Sequence, residues 1–352
     1  MSVRKSFSIF IAVVVVSIIG VLFLSIDSAT FEILRYANRS LLLFALFLVV
    51  VCWCLDALKL MMLARAAGER LTFKQVLPAT WINYFGSAIT PMQSGGGPFQ
   101  VYLLYKNGVC VGKAVAITLV RTIQAIMLLV LIVPFAIIKE PEFLHRHYVM
   151  KWFVLYIMLF VAAAALFIVV SVVRPGWIKY LSSGSLVKFR RSGIMKPRLL
   201  IRMARRINVE IDAYSANIRQ FFSAGKFWFL LSTVIAIVYL FTYLSIMPLL
   251  ILAVGFQVEF FQCILVEALL LFLLYFVPTP GGSGAAEGGA AVVLAIFLPW
   301  NLAGILAVAW RVVTEYTGVA LGAVVAVRML GWGGADKVLK EEEEGTFKYD
   351  SK

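Results

Sequence analysis

The chain has 352 residues, of which 62% are hydrophobic and only 14% charged, and it carries a formal net charge of +14. A soluble domain is nearer about 45–50% apolar and about 25% charged, so a soluble enzyme, a disordered chain and a nucleic-acid-binding domain are all excluded. The apolar residues come in blocks of about twenty, which suits a helix crossing roughly 30 Å of hydrocarbon and not the alternating strands of a barrel.

In chain order, Arg4 and Lys5 precede an apolar run from Phe7 to Ile26, read as an uncleaved first helix. Further spans are expected at Leu41–Ala64, Ala114–Ile138, Val149–Val173, Phe227–Val254 and Leu302–Val327. Between the second and third spans lie two short apolar pieces, Val76–Ile89 and Phe99–Tyr105. Neither is long enough to cross, and Thr90-Pro91-Met92-Gln93-Ser94-Gly95-Gly96-Gly97-Pro98 separates them. This pattern predicts a re-entrant hairpin, whose irregular backbone needs protein or a wet cavity to satisfy it. A second interrupted stretch, Val258–Pro299, is broken at Pro278–Gly289, and its first arm is read as long enough to cross.

The expected fold is therefore an all-α polytopic membrane protein. It has about six full spans plus two broken helical hairpins, or eight segments if the hairpin arms span. Residues 1–334 form one transmembrane domain, and residues 335–352, with Glu341–Glu344, form a cytoplasmic polar tail. The segment 174–226 is the topological anchor: from Arg174 to Arg206 it has ten basic residues and no acid, which marks the cytoplasmic side. Counting spans from it places both termini in the cytoplasm of a cell-membrane protein. Within this segment Leu200, Met203, Ile207, Ile211, Tyr214, Ile218 and Phe221 recur at helical spacing, predicting an amphipathic helix at the anionic cytoplasmic surface.

Thr90-Pro91 and Thr279-Pro280 are the chain's two Thr-Pro dipeptides, and each is followed by glycines, a short apolar arm and an arginine in the next span. The arginines are Arg121 and Arg311, each trailed by a polar residue on the same helical face, Gln124 and Glu315. The span count makes the two units, about 41–138 and 227–327, inverted relative to one another. Inverted repeats with broken helices place a binding site near the membrane midplane.

The candidate site is drawn from these units. Gly95, Gly96, Gly97, Gly281, Gly282 and Gly284 allow sharp turns and close approach of a ligand. The half-helices that follow begin near Pro98 and Ala285, and their N-termini favour anions. Arg121 and Arg311 add full charges, whose burial costs roughly 2.5–3.5 kcal/mol each on insertion scales unless partnered. Two roles stay open: recognition of a phosphate carried on a lipid, or internal pairing with Glu267, Glu287 and Glu315. A mixed role is also open, in which the carboxylates hold the arginines until substrate displaces them. Glu267 and Glu287 are the gating or proton-coupling candidates. Thr90, Thr279, Asn83 and Gln93 either bond substrate or satisfy broken backbone. Asp56 and Lys59, three apart, read as a local ion pair. No catalytic residue, metal or cofactor is expected: His145 and His147 share one loop, and Cys52, Cys54, Cys110 and Cys263 lack zinc spacing.

With PTPGGSGAAEGG at Pro278–Gly289 and TPMQSGGGP at Thr90–Pro98, the chain resembles the lysylphosphatidylglycerol synthase transmembrane-region family of flippase-like membrane proteins. The resemblance implies a free-standing member without the synthase domain, handling membrane lipids and working beside a lipid-modifying enzyme. The leading expectation is a transporter of an anionic or phosphate-bearing lipid. The alternatives are an integral-membrane transferase acting on a lipid, with Glu287 and Glu267 as acid and base, and a carrier of a small solute or ion.

Overall fold

The computed structural model describes residues 3–25, 35–139 and 225–329, together with Tyr156, Leu159 and Gly331. Apart from Tyr156 and Leu159, the predicted span at 149–173, the basic segment through residue 224 with its amphipathic helix, both histidines and the polar tail lie outside the described residues. Every named element among the described residues is a helix. In order come α1 (Val3–Ser25), α2 (Arg39–Ala66), α3 (Phe73–Ala88), α4 (Gly96–Lys106) and α5 (Val111–Lys139). After them come α6 (Lys226–Leu244), α7 (Ile246–Ala253), α8 (Phe260–Leu274), α9 (Ala285–Leu294), α10 (Trp300–Arg311), a π-helical turn (Val312–Tyr316) and α11 (Thr317–Met329).

Among the described residues, four stretches are long and apolar enough to cross a membrane: Arg39–Ala66, Val111–Ala136, Lys226–Ala253 and Trp300–Met329. Two of them are not single uninterrupted α-helices. The third breaks at Ser245, because Pro248 has no N–H to offer the carbonyl four residues back. The fourth loosens into the π-helical turn directly after Arg311. Local chemistry sets the other ends. Asn38 starts α2, its Oδ1 accepting from the Ser40 and Leu41 N–H groups at 3.0 and 3.3 Å. Thr72 and Gln75 start α3, the Gln75 Oε1 accepting from the Thr72 N–H at 2.8 Å.

The hairpin arms are short. At 1.5 Å per residue, the 16 residues of α3 reach about 24 Å and the 11 of α4 about 17 Å. The 15 of α8 reach about 23 Å and the 10 of α9 about 15 Å. The expectation that the first arm of the second hairpin is long enough to cross is therefore corrected: α8 stops at Leu274. Val277 and Thr279 each precede a proline, which disfavours the helical conformation there.

Two main cores hold the helices. One joins α3, α4 and the start of α5 to the second half of α2 and to α11. The other joins α8, α9 and α10 to α7 and the first half of α2. A third, smaller core packs the end of α5 on α8. The halves are thus interlocked, since α2 reaches into the second hairpin's core and α11 into the first's. The α3–α11 contact is close because Gly318 and Gly322 form a small-residue stripe: a Cβ at Gly318 would stand 2.9 Å from Tyr84 Cδ2, and one at Gly322 2.8 Å from Phe85 Cβ. The opposite faces of α2 and α6 present Phe44, Phe47, Leu230, Ile237 and Phe241 outward, as helices in hydrocarbon do.

Candidate functional site

Each threonine before a proline is pushed out of the helical region, so the chain turns at Thr90 and again at Thr279. The two elbows touch: Pro91 and Pro280 face each other in an antiparallel bridge, and the Gly281 N–H donates to the Thr90 carbonyl at 3.4 Å. The elbows are built differently. In the second, Gly281, Gly282 and Gly284 take positive φ of 60°, 68° and 87°. In the first, the positive φ falls on Met92 and Gln93, at 52° and 56°. The expectation that glycine supplies both bends is corrected on this point. Gly95 is needed for space instead: a Cβ there would meet Thr90 Cγ2 at 2.6 Å.

The threonines serve backbone. Thr90 Oγ1 accepts from the Gly95 N–H at 2.8 Å and donates to the Gly86 carbonyl at 2.9 Å. Thr279 Oγ1 donates to the Ser283 carbonyl at 2.9 Å. Glu287 occupies the donor end of α9, its Oε2 accepting from the Gly284 N–H at 2.5 Å, so this helix start is satisfied internally.

Both arginines are buried and partnered. Arg121 Nη2 meets Asp56 Oδ2 at 2.5 Å, and the Tyr84 hydroxyl donates to the same oxygen at 2.7 Å. Lys59 Nζ lies 2.7 Å from Asp56 Oδ1 and 4.9 Å from the centroid of the Tyr239 ring. Asp56 and Lys59 do pair as their spacing predicts, but the carboxylate also carries Arg121, a partner from another span. Arg311 donates through Nη2 to the Gly281 carbonyl at 2.8 Å, tying the arginine to the elbow itself. Its Nε lies 3.5 Å from Glu287 Oε1, and its Nη1 lies 3.9 Å from Glu315 Oε2. Tyr316, displaced by the π-helical turn, donates its hydroxyl to Glu287 Oε1.

Two of the predicted polar groups have partners other than the arginines. Glu267 neutralises neither arginine; fully buried on α8, it accepts from the Trp310 indole N–H at 3.0 Å. Gln124 turns from Arg121 toward α6, accepting from Ser232 Oγ at 3.1 Å and donating to Thr233 Oγ1 at 2.9 Å.

Beside the elbows lies a cavity of about 670 Å³. Arg121, Arg311, Glu315 and Gly97 line it, with Asn83, Gln93, Asp56 and Lys59. Thr90, Gly95, Gly96, Gln124, Glu267, Thr279, Gly281, Gly282, Gly284 and Glu287 are not in its wall. One side of the wall is apolar, made by Leu119, Ile123, Ile126, Leu128 and Leu129 of α5. Sequence reasoning missed the tyrosines Tyr84, Tyr239, Tyr243 and Tyr275, which surround the charged groups. The available signal was Tyr239 and Tyr243, four apart on one helical face of an otherwise apolar run.

The family model described as the lysylphosphatidylglycerol synthase TM region matches residues 9–322. A protein of Archaeoglobus fulgidus named as a UPF0104 membrane protein is 27% identical over 307 residues, covering 84% of this chain and 88% of its own length.

Proposed function

The chain belongs to the lysylphosphatidylglycerol synthase transmembrane-region family, and we propose that it carries a phosphate-bearing lipid between the two leaflets of the cell membrane. One observation carries the reading: a single cavity joins Arg121, Lys59 and Arg311 to the apolar wall of α5. A lipid needs both surfaces at once, cations for its phosphate and hydrocarbon for its chains. A small solute or ion has no use for the second.

The two hairpins, each with a following arginine, act as inverted units around this cavity, and tilting one against the other exposes it to either leaflet. The termini lie in the cytoplasm, where the basic segment 174–226 meets anionic lipid. Asp56, Glu287 and Glu315 hold the cations while the site is empty, and the incoming phosphate competes for them. A transferase would need its acid and base at the substrate. Glu267 and Glu287, the pair considered for that role, are both absent from the cavity wall, so the transport reading is preferred. A lipid-modifying enzyme would supply the substrate.

The test is leaflet-to-leaflet movement of fluorescent anionic phospholipid in proteoliposomes. Glu287→Gln removes the counter-charge that anchors Arg311, and Arg311→Ala removes the arginine itself; each is expected to slow movement about tenfold, the worth of one charge-assisted contact. Correct size-exclusion profiles establish that the variants fold. Equal movement in wild type, both variants and protein-free vesicles defeats the proposal.

A further inference from the structure

A cavity of about 670 Å³ has the size of a drug-sized ligand's pocket, so a lipid seated there keeps its chains in the bilayer. Its headgroup then needs an opening along the helices rather than at one end of the bundle. The middle of α5 is where such an opening fits. The start of this helix is fixed in the first core through Ala114, Ile117 and Val120, and its end in the third core through Leu129, Val133 and Ala136. Between Val120 and Leu129 the buried residues of α5 are Arg121 and Gln124, both polar.

Gln124 marks the seam with α6. From Arg121 to Leu129 every residue of α5 lines the cavity except this one. Successive residues of a helix point about 100° apart, so the cavity flanks α5 on more than one side, and Gln124 is turned away from it. Its amide accepts from Ser232 Oγ at 3.1 Å and donates to Thr233 Oγ1 at 2.9 Å. On the same face of α6, the turns after Ser232 bring Ala236, Tyr239, Leu240 and Tyr243 to the cavity. The two hydrogen bonds therefore close the seam at the cavity's edge. They can open reversibly, because side-chain hydrogen bonds between helices in lipid are individually weak. Thr233 Oγ1 also donates to the Phe229 carbonyl at 3.0 Å, and a helical serine can bond the carbonyl four residues back. Neither hydroxyl is stranded when the seam parts. The Gln124 amide is the group left in need of a partner, and a polar headgroup in the cavity supplies one.

Resting on the transport reading, we propose that lipid enters and leaves the cavity sideways between α5 and α6, and that Gln124, Ser232 and Thr233 form the latch that holds this seam shut. The incoming headgroup opens the latch by taking over the Gln124 amide, and the seam closes again once the headgroup has gone. Without the latch the seam stands open more of the time.

The test uses the full chain in proteoliposomes, with Cys52, Cys54, Cys110 and Cys263 replaced and Ala236→Cys placing one thiol on the cavity side of the seam. A dodecyl maleimide reaches that thiol from the bilayer when the seam parts, and a sulfonated maleimide reports access from water. Gln124→Leu, and separately Ser232→Ala with Thr233→Val, are expected to speed dodecyl labelling about tenfold, the worth of two such hydrogen bonds. Sulfonated labelling is expected to stay as it was, and Thr233→Ser, which keeps the hydroxyl, to label at the wild-type rate. Ala268→Cys, in the fully buried third core, is the control for general loosening and is expected to label no faster in the latch variants. Movement of fluorescent anionic phospholipid is expected to rise in those variants by up to about tenfold. Unchanged dodecyl labelling in both variants overturns the latch. Equal acceleration at Ala268→Cys overturns it as well, because the whole bundle has then loosened. Faster movement without faster labelling overturns the seam as the route. Faster labelling with no lipid movement in any form, wild type included, overturns transport and leaves the seam as the gate of the cavity.

Discussion

Asp56 shows how much one side chain decides in a low-dielectric interior. It is 1% exposed and neutralises two buried cations while accepting from Tyr84. Asp56→Asn leaves Lys59 and Arg121 facing each other with no counter-charge, the situation that costs about 3–5 kcal/mol when a buried pair is broken. Lys59→Met is the informative contrast, because it leaves a neutral Asp56–Arg121 pair inside an apolar wall. Thermal denaturation in detergent is expected to show a large loss for Asp56→Asn and a much smaller change for Lys59→Met. The reverse order would mean that Lys59, not Arg121, is the partner Asp56 exists to hold. Residue-scale partnerships of this kind were only partly legible in the sequence. The three-residue spacing of Asp56 and Lys59 is local and readable, whereas the Asp56–Arg121 bond spans 65 positions and depends on how α2 meets α5. Glu267 misled for the same reason: an acid in an apolar run looks like an arginine partner until Trp310 is seen opposite it.

At the scale of elements, the hairpins depend on glycine in two different ways. In the first, glycine is a matter of space: a Cβ on Gly86 would stand 2.6 Å from the Gly95 carbonyl oxygen, closer than atoms approach. In the second, glycine is a matter of backbone, with Gly284 at a φ of 87° just before α9. Gly288, inside α9, has open space around it. Alanine is expected to lower thermal stability at Gly86 through collision and at Gly284 by roughly 1–3 kcal/mol, because a φ of 87° with a ψ of −56° is a conformation that L side chains rarely adopt. At Gly288 alanine raises stability by up to about 1 kcal/mol, since glycine is a poor helix former. Melting of the three purified variants decides this, and a uniform response would refute the division between space and backbone. The apolar blocks and the two Thr-Pro interruptions were readable because hydrocarbon thickness and proline sterics act locally. The left-handed pair Met92–Gln93 was not, because surrounding glycines were the obvious candidates for those angles. Nor was the π-helical turn after Arg311, whose last residue, Tyr316, donates to Glu287.

At the scale of the molecule, the decisive feature is where the two halves join. Facing residues of an antiparallel bridge are related by a local two-fold axis, so Pro91 and Pro280 sit beside such an axis between the elbows. If the two hairpin units rock about that axis, Pro91 and Pro280 are the points that move least. The cavity wall includes Met92, Gln93 and Ser94 of the first elbow and no residue of the second elbow's glycine turn, and Met92 is 55% exposed while Ser283 is 1% exposed. The two elbows thus meet the cavity unequally. Facing residues across such a bridge have Cα atoms about 4.5–5.5 Å apart, inside the range a disulfide can span. With Cys52, Cys54, Cys110 and Cys263 replaced, the double variant Pro91→Cys/Pro280→Cys is therefore expected to cross-link on mild oxidation. Comparing the oxidised and reduced forms of that one variant cancels whatever the loss of the prolines does to the elbows. If the bridge is the pivot, lipid movement persists at a similar rate in the oxidised form. Movement abolished by oxidation and restored by reduction would show that the elbows separate during the cycle, and that the two halves do not turn about their point of contact.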